Sequence, residues 1–171
     1  MIRPICRHTN DDAGAEGVLA QSGLAIDGAA ADALAGYVVE EQVGFLLRRA
    51  HQRHAALFQE GMGAAELTPT QFTALVKTVE LGRVTQNQLG RLAAMDPATI
   101  QGVVRRLIAR GLVCRRTDPM DRRAAVLTPT AEGVALARQA VACGRRITEV
   151  TLAPVPAEDR PHLLAMLRKL G

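Results

Sequence analysis

The chain has 171 residues, of which 48% are hydrophobic, enough apolar material for one cored domain with at most an appendage. Three Phe, one Tyr and no Trp leave the core to Leu, Val and Ala, which favours helices and argues against a β-sandwich. The net charge is only +4, but seven arginines against two aspartates between Arg105 and Arg123 put a surplus of +5 into that one segment; so local a surplus points to a contact surface for a polyanion.

Residues 1–26 lack periodicity and read as a tail, and a short Ala-rich helix is expected at 27–35 with Asp27 as its cap. Residues 36–60 form a strong helix. Its apolar stripe is Val39, Val43, Leu46, Leu47, Ala50, His54, Leu57 and Phe58, while Phe45 points nearly opposite, so a second surface such as a partner subunit is expected to cover it. Gly61 and Gly63 end it. Three short helices follow, each with its own start signal: Thr68 before Pro69, Thr85, and Asp96 before Pro97; Gly82 and Gly111 stop the first and the third. Helices joined this tightly cross at steep angles, the helix-turn-helix arrangement.

Residues 112–117 and 123–128 then read as two strands around the polar turn 118–122, a hairpin placed as a wing. A long helix over 130–152, a break at Val155–Pro156 and a last amphipathic helix over 157–170 complete the chain. The fold class expected is mainly α: a winged helix-turn-helix (67–129), with an N-terminal extension (1–35), a first dimerisation helix (36–66) and C-terminal dimerisation helices (130–171).

Within the helix from Pro97 to Arg110, Ile100, Val103, Val104, Leu107 and Ile108 share an anchoring face. The opposite face carries Ala98, Gln101, Gly102, Arg105 and Arg106, with Thr99 in its first turn. Gln and Arg match the major-groove edges of adenine and guanine, and small Ala98 and Gly102 let a backbone approach the bases closely. On the expected wing, Arg122 and Arg123 suit the minor groove and the DNA backbone, with Asp118 and Asp121 as structural partners that hold a guanidinium in place. An ordinary solvated surface would account for either feature alone; their adjacency favours DNA.

The segment DPMDRRAAVLTPTAEG (118–133) resembles the wing signature of the MarR (multiple antibiotic resistance regulator) family, and TQNQLGRLAAMDPATIQGVVRRLIARGLVCRRT (85–117) resembles its helix-turn-helix. The resemblance extends over roughly residues 36–170. One departure is Pro129–Thr130, where the family has an aliphatic residue and then Thr, which leaves open where the second wing strand ends. The resemblance implies a homodimer that presents two recognition helices and two wings to a pseudo-palindromic double-stranded operator. It also implies a repressor released by a small aromatic, anionic effector.

For such an effector the residues offered are His51, His54, Arg49 and Phe58 on the first long helix, with Arg53 nearby. A satisfied, partly buried core histidine is the competing reading of His54. Two His three residues apart with no Cys or carboxylate nearby do not make a metal set, and no cofactor is expected. Cys6, Cys114 and Cys143 are too widely spaced for a disulfide framework. With no secretory leader and no apolar run of bilayer length, they point to the cytoplasm and to no membrane contact. Two alternatives stay open: an oxidant-sensing regulator of the same fold using a cysteine, and a winged-helix interaction module that does not bind DNA. An enzyme is not expected, because no phosphate loop, nucleophile elbow or paired carboxylates occur.

Overall fold

The structure, a computed structural model, describes residues 34–117 and 125–171. The helix expected at 27–35 falls almost wholly outside them, as do the tail with Cys6, and Asp118, Asp121, Arg122 and Arg123 of the wing turn. The chain divides into two units at Val39/Glu40, and the elements from Val43 onward belong to the second.

A 3-10 turn, Val39–Glu41, precedes helix α1, Val43–Gly61, so the α-helix begins later than the periodicity predicted. Helices α2 (Pro69–Leu81), α3 (Gln86–Leu92) and α4 (Pro97–Ala109) follow. Each starts on the residue predicted to cap it. Thr68 accepts from the Gln71 N–H while the Gln71 side chain accepts from the Thr68 N–H, a reciprocal box; Thr85 accepts from the Gln88 N–H. Strands β2 (Val113–Thr117) and β3 (Ala125–Pro129) pair antiparallel, Val113 opposite Pro129 and Thr117 opposite Ala125. Pro129 therefore ends the strand, where its missing N–H costs nothing, and Thr130 caps the next helix by accepting from the Gly133 N–H. A further strand that periodicity did not predict, β1 (Val84–Thr85), pairs with β3 and gives the sheet order β1-β3-β2. Helices α5 (Ala131–Leu152) and α6 (Arg160–Leu170) close the chain, α6 starting three residues later than expected.

The core lies where α2, α4 and the sheet meet α5. Leu75, Leu89, Val103, Leu107 and Ala140 have no exposed surface, and Val84, Ile100, Val104 and Leu127 almost none. Small residues on α5 let its neighbours come close: a Cβ on Gly144 would stand 3.0 Å from the Phe72 ring, and one on Gly61 of α1 2.7 Å from Ile147.

The stripe predicted for α1 is only partly met by its own chain. Phe58 is buried and His54 and Leu57 are half-buried, but Ala50 is exposed and Val43, Leu46 and Leu47 are 64%, 50% and 44% exposed. The C-terminal half of α1 packs on α5 through Arg53, His54 and Gly61, whereas its N-terminal half stays largely exposed. Phe45, expected on the polar side, is half-buried with the Arg48 guanidinium carbon 5.1 Å from its ring centroid. On α6, Leu164, Met166, Leu167 and Leu170 are likewise exposed. So many exposed apolar side chains on two helices exceed what scattered surface leucines account for. The chain is therefore expected to be a dimer: light scattering at micromolar concentration should give twice the chain mass, and Leu46→Glu should shift it toward the monomer. A wild-type protein that scatters as a monomer would overturn this.

Candidate nucleic-acid interface and effector region

Helix α4 is anchored by Ile100, Val103, Val104 and Leu107, all buried. Ile108, assigned to the same face by periodicity, is 36% exposed, although its neighbour Leu107 in the same turn has no exposed surface. On the other side Ala98, Gln101, Arg105 and Arg106 are exposed and Gly102 is half-exposed. A Cβ on Gly102 would meet only the Arg106 guanidinium, at 3.7 Å or more, so the chain's own packing does not require glycine there. Among the described residues the one ion pair is Lys77–Glu80, 2.9 Å, so no carboxylate of the described chain neutralises Arg105 or Arg106.

The turn before α4 sets its angle. A Cβ on Gly90 of α3 would sit 3.2 Å from Ile100 Cγ2 and 3.3 Å from the Met95 carbonyl, so α3 and α4 cross in close contact there. Ala94 takes a left-handed φ of +51° between them, and Met95 N–H donates to Gly90 O at 2.9 Å. Asp96 accepts from the N–H groups of Ala98 and Thr99, at 3.0 and 2.9 Å, and from the Thr99 hydroxyl. Thr99, predicted as a DNA contact, is thus first a capping residue. The Thr99 hydroxyl, and then the N–H groups of the helix start, hold the Asp96 carboxyl below its ordinary value. A carboxyl lowered on folding stabilises the fold above its unfolded pKa and loses that contribution as the pH falls through the folded one. Asp96→Asn should therefore lower Tm at pH 7, and the difference from wild type should shrink as the pH falls below the ordinary carboxyl range. A difference that stays constant as the pH is lowered would mean that the charge is not what matters.

Other arginines of the basic segment have structural duties. Arg110 donates to Glu66 O at 2.7 Å and to Ala65 O at 3.1 Å, and Arg115 on β2 donates to Gln86 Oε1 at 2.9 Å, tying the sheet to the start of α3. Arg116 is exposed on β2. Cys114 beside it is half-buried with its sulfur 3.0 Å from the Thr128 hydroxyl. That hydrogen bond, and then the Arg116 guanidinium, push the thiol down.

The effector residues on α1 are not brought to one point. His54 Nδ1 lies 3.0 Å from Thr151 Oγ1, and that hydroxyl gives its proton to Ile147 O at 2.7 Å. The hydroxyl is then the acceptor and Nδ1 of His54 the donor of this pair. Phe58, 6.2 Å from the His54 ring, is buried against Phe72. Arg53 is committed to the end of α5, donating to Thr151 O and Val150 O at 2.7 and 3.1 Å. His51 and Arg49 are exposed. Among the cavities on the described chain are three at helix junctions. One of about 590 Å³ lies between α1 and α5, one of about 430 Å³ between α2 and α5, and one of about 420 Å³ at the α1–α2 connection. Phe58 lines the third; His51, His54 and Arg49 line none of them. Among the described residues no cluster of His, Cys, Asp and Glu is arranged to hold a metal ion, and no helix is long and apolar enough to cross a membrane.

Comparison with known proteins agrees with this geometry. Residues 67–125, the helix-turn-helix and the start of β3, match the model of the MarR family. The HTH-type transcriptional repressor NicR of Pseudomonas putida is 42% identical over 134 residues, 78% of this chain and 85% of NicR. The crystal structure of a Pseudomonas aeruginosa protein described as a probable transcriptional regulator is 46% identical, with a TM-score of 0.76 over 78% of this chain and all of that one. Bordetella bronchiseptica BpsR, whose structure is described as a mechanism for regulation of its DNA binding by 6-hydroxynicotinic acid, is 38% identical, with a TM-score of 0.75 over 78% of this chain and 96% of BpsR. With its capped and tightly crossed α3–α4 pair, its three-stranded wing sheet and these relatives, the chain belongs to the MarR family of winged helix-turn-helix transcriptional regulators.

Proposed function

We propose that the chain is a cytoplasmic, homodimeric transcriptional repressor that holds a pseudo-palindromic operator through α4 and the wing and releases it on binding a small aromatic carboxylate. The observation that carries the DNA half of this reading is the solvent face of α4. Gln101, Arg105 and Arg106 stand there without carboxylate partners among the described residues, around a glycine that the described packing does not need. Ala98 and Gly102 admit the groove wall, Gln101 and Arg105 read base edges, and Thr99 holds the helix start. Arg122 and Arg123, steadied by Asp118 and Asp121, take the minor groove and backbone. The effector binds beside His51 and His54 with Arg49 as counter-charge and Phe58 as apolar wall. The aromatic acid named for BpsR supports that chemistry, as do two imidazoles on α1.

The test is selection of bound sequences from a random DNA pool, followed by titration in rising salt with and without 6-hydroxynicotinate. Several arginine–phosphate contacts should make the affinity fall by roughly 10³-fold or more between 50 and 200 mM salt. The acid should weaken operator binding about tenfold, and less so in His51→Ala and His54→Ala, whose ligand-free DNA binding should be unchanged. Salt-independent binding, or no enriched sequence, would favour a protein-interaction module and overturn the repressor. A normal response in both histidine variants would place the effector elsewhere.

A further inference from the structure

The connection between α1 and α2 is a wall shared by a cavity and by the end of the DNA-facing helix. It consists of a 3-10 turn, Gly63–Ala65, followed by Glu66 in a left-handed conformation with φ +48°. For a residue with a Cβ that conformation persists only where its surroundings enforce it. On one side the connection encloses the cavity of about 420 Å³, between Phe58 and Met62 of the α1 end and Gly63, Glu66 and Leu67. From elsewhere in the fold, the guanidinium of Arg110 donates to two successive carbonyls of the connection, those of Ala65 and Glu66. Arg110 is also the residue that ends α4, its N–H donating to Arg106 O at 3.1 Å. One rigid planar fork therefore spans from the turn to the helix that carries Gln101 and Arg105. A fork with fixed donor directions fits two neighbouring carbonyls in one setting of the turn and loses one or both bonds when the turn moves.

We propose that Arg110 is a positioning residue that couples occupancy of the α1–α2 cavity to the setting of α4. The inference rests on the repressor reading above and adds a second point of control to it, because His51, His54 and Arg49 do not line this cavity. The cavity takes a small, flat, largely apolar molecule, since Ala55, Phe58, Met62, Leu67 and Pro69 supply its walls. Filling it displaces the 63–66 turn, and Arg110 carries that displacement to the last turn of α4. By linkage, DNA that fixes α4 disfavours the filled cavity to the same extent.

The test fills the cavity from within the full chain, so no effector has to be known. Ala55→Phe adds a ring from α1; Gly63→Leu adds bulk from the turn, where a Cβ meets nothing within 4 Å and which therefore remains readable if the first variant fails to fold. Each filler is made with Arg110 intact and with Arg110→Gln. Two quantities are read: amide hydrogen exchange across residues 106–112 without DNA, and affinity for the selected operator. With Arg110 intact, a filler should speed exchange there at least fivefold and weaken operator binding at least tenfold. With Arg110→Gln, both changes should shrink below twofold. Equal changes in the two backgrounds, or no change in either, would overturn the coupling. A wild-type chain that binds no operator would overturn the repressor reading instead, while the exchange measurements still decide the role of Arg110.

Discussion

Arg105→Ala is expected to weaken binding to the preferred operator by about 1–3 kcal/mol, roughly five- to 150-fold, and to relax the preference at a single base pair of each half-site. Arg105 stands one helical turn after Gln101 on the exposed face of α4, and its immediate neighbour on the other side, Val104, is buried. The buried face fixes the height of the helix over whatever it contacts, so a guanidinium here is presented from a rigid support. No carboxylate among the described residues competes for it. Its fork matches the O6 and N7 acceptors of guanine, which no other base offers together. The substitution should leave stability almost untouched, because an exposed Ala is a good helix former and no bond within the described chain is lost. Fluorescence anisotropy on the selected site and its single-base variants separates the possibilities. A base reader loses affinity chiefly for the preferred sequence; a phosphate contact loses it evenly and flattens the salt slope, the pattern expected of Arg122→Ala. An even loss for Arg105→Ala would exchange the two roles.

The largest effect on stability is expected from a glycine in the first turn of α5. A Cβ on Gly133 would lie 2.0 Å from the Leu112 carbonyl oxygen and 2.9 Å from its carbon, both backbone atoms that no rotamer change can move. That carbonyl already accepts the Thr130 N–H at 3.1 Å, and the Thr130 hydroxyl, which caps α5, donates to Gly111 O at 2.7 Å. The start of α5 is thus joined at several points to the residues that lead into β2, and a methyl group can enter only if the helix lifts off the sheet. Gly133→Ala should cost about 3 kcal/mol or more, at the upper end of overpacking, and lower Tm by roughly 10 °C for a domain of this size. Gly102→Ala, with 3.7 Å or more to its nearest neighbour, is the control that should fold as well as wild type. Calorimetry showing Gly133→Ala within a degree or two of wild type would mean that the close approach of α5 to Leu112 is not maintained in solution.

What the sequence determined by itself is the local grammar of the DNA-binding lobe. Thr68, Thr85 and Asp96 each accept from N–H groups two or three residues onward, as their positions before the helical periods predicted, whereas Thr130, read as the first residue of its helix, is a cap as well. A cap closes over a few residues, so its signal is complete in the sequence. The buried and exposed faces of α4 were legible for the same reason, apart from Ile108. The role of Thr99 in the Asp96 cap was legible too, from a hydroxyl three residues after an N-cap carboxylate, but the groove-facing reading of the helix obscured it. Tertiary structure decided everything that depends on partners far along the chain. Two residues carry too little periodicity to declare a strand, and Val84–Thr85 is one only because β3 lies beside it. Arg53 and His54 look available for a ligand until residues about a hundred positions later supply carbonyls and a hydroxyl to them, and Arg110 is only one more charge of the basic segment until two carbonyls of the α1–α2 connection accept from its guanidinium. The stripe on α1 is the limiting case. Hydrophobic periodicity states that a face must be covered but carries no term for what covers it, and within the described chain only the half that meets α5 is.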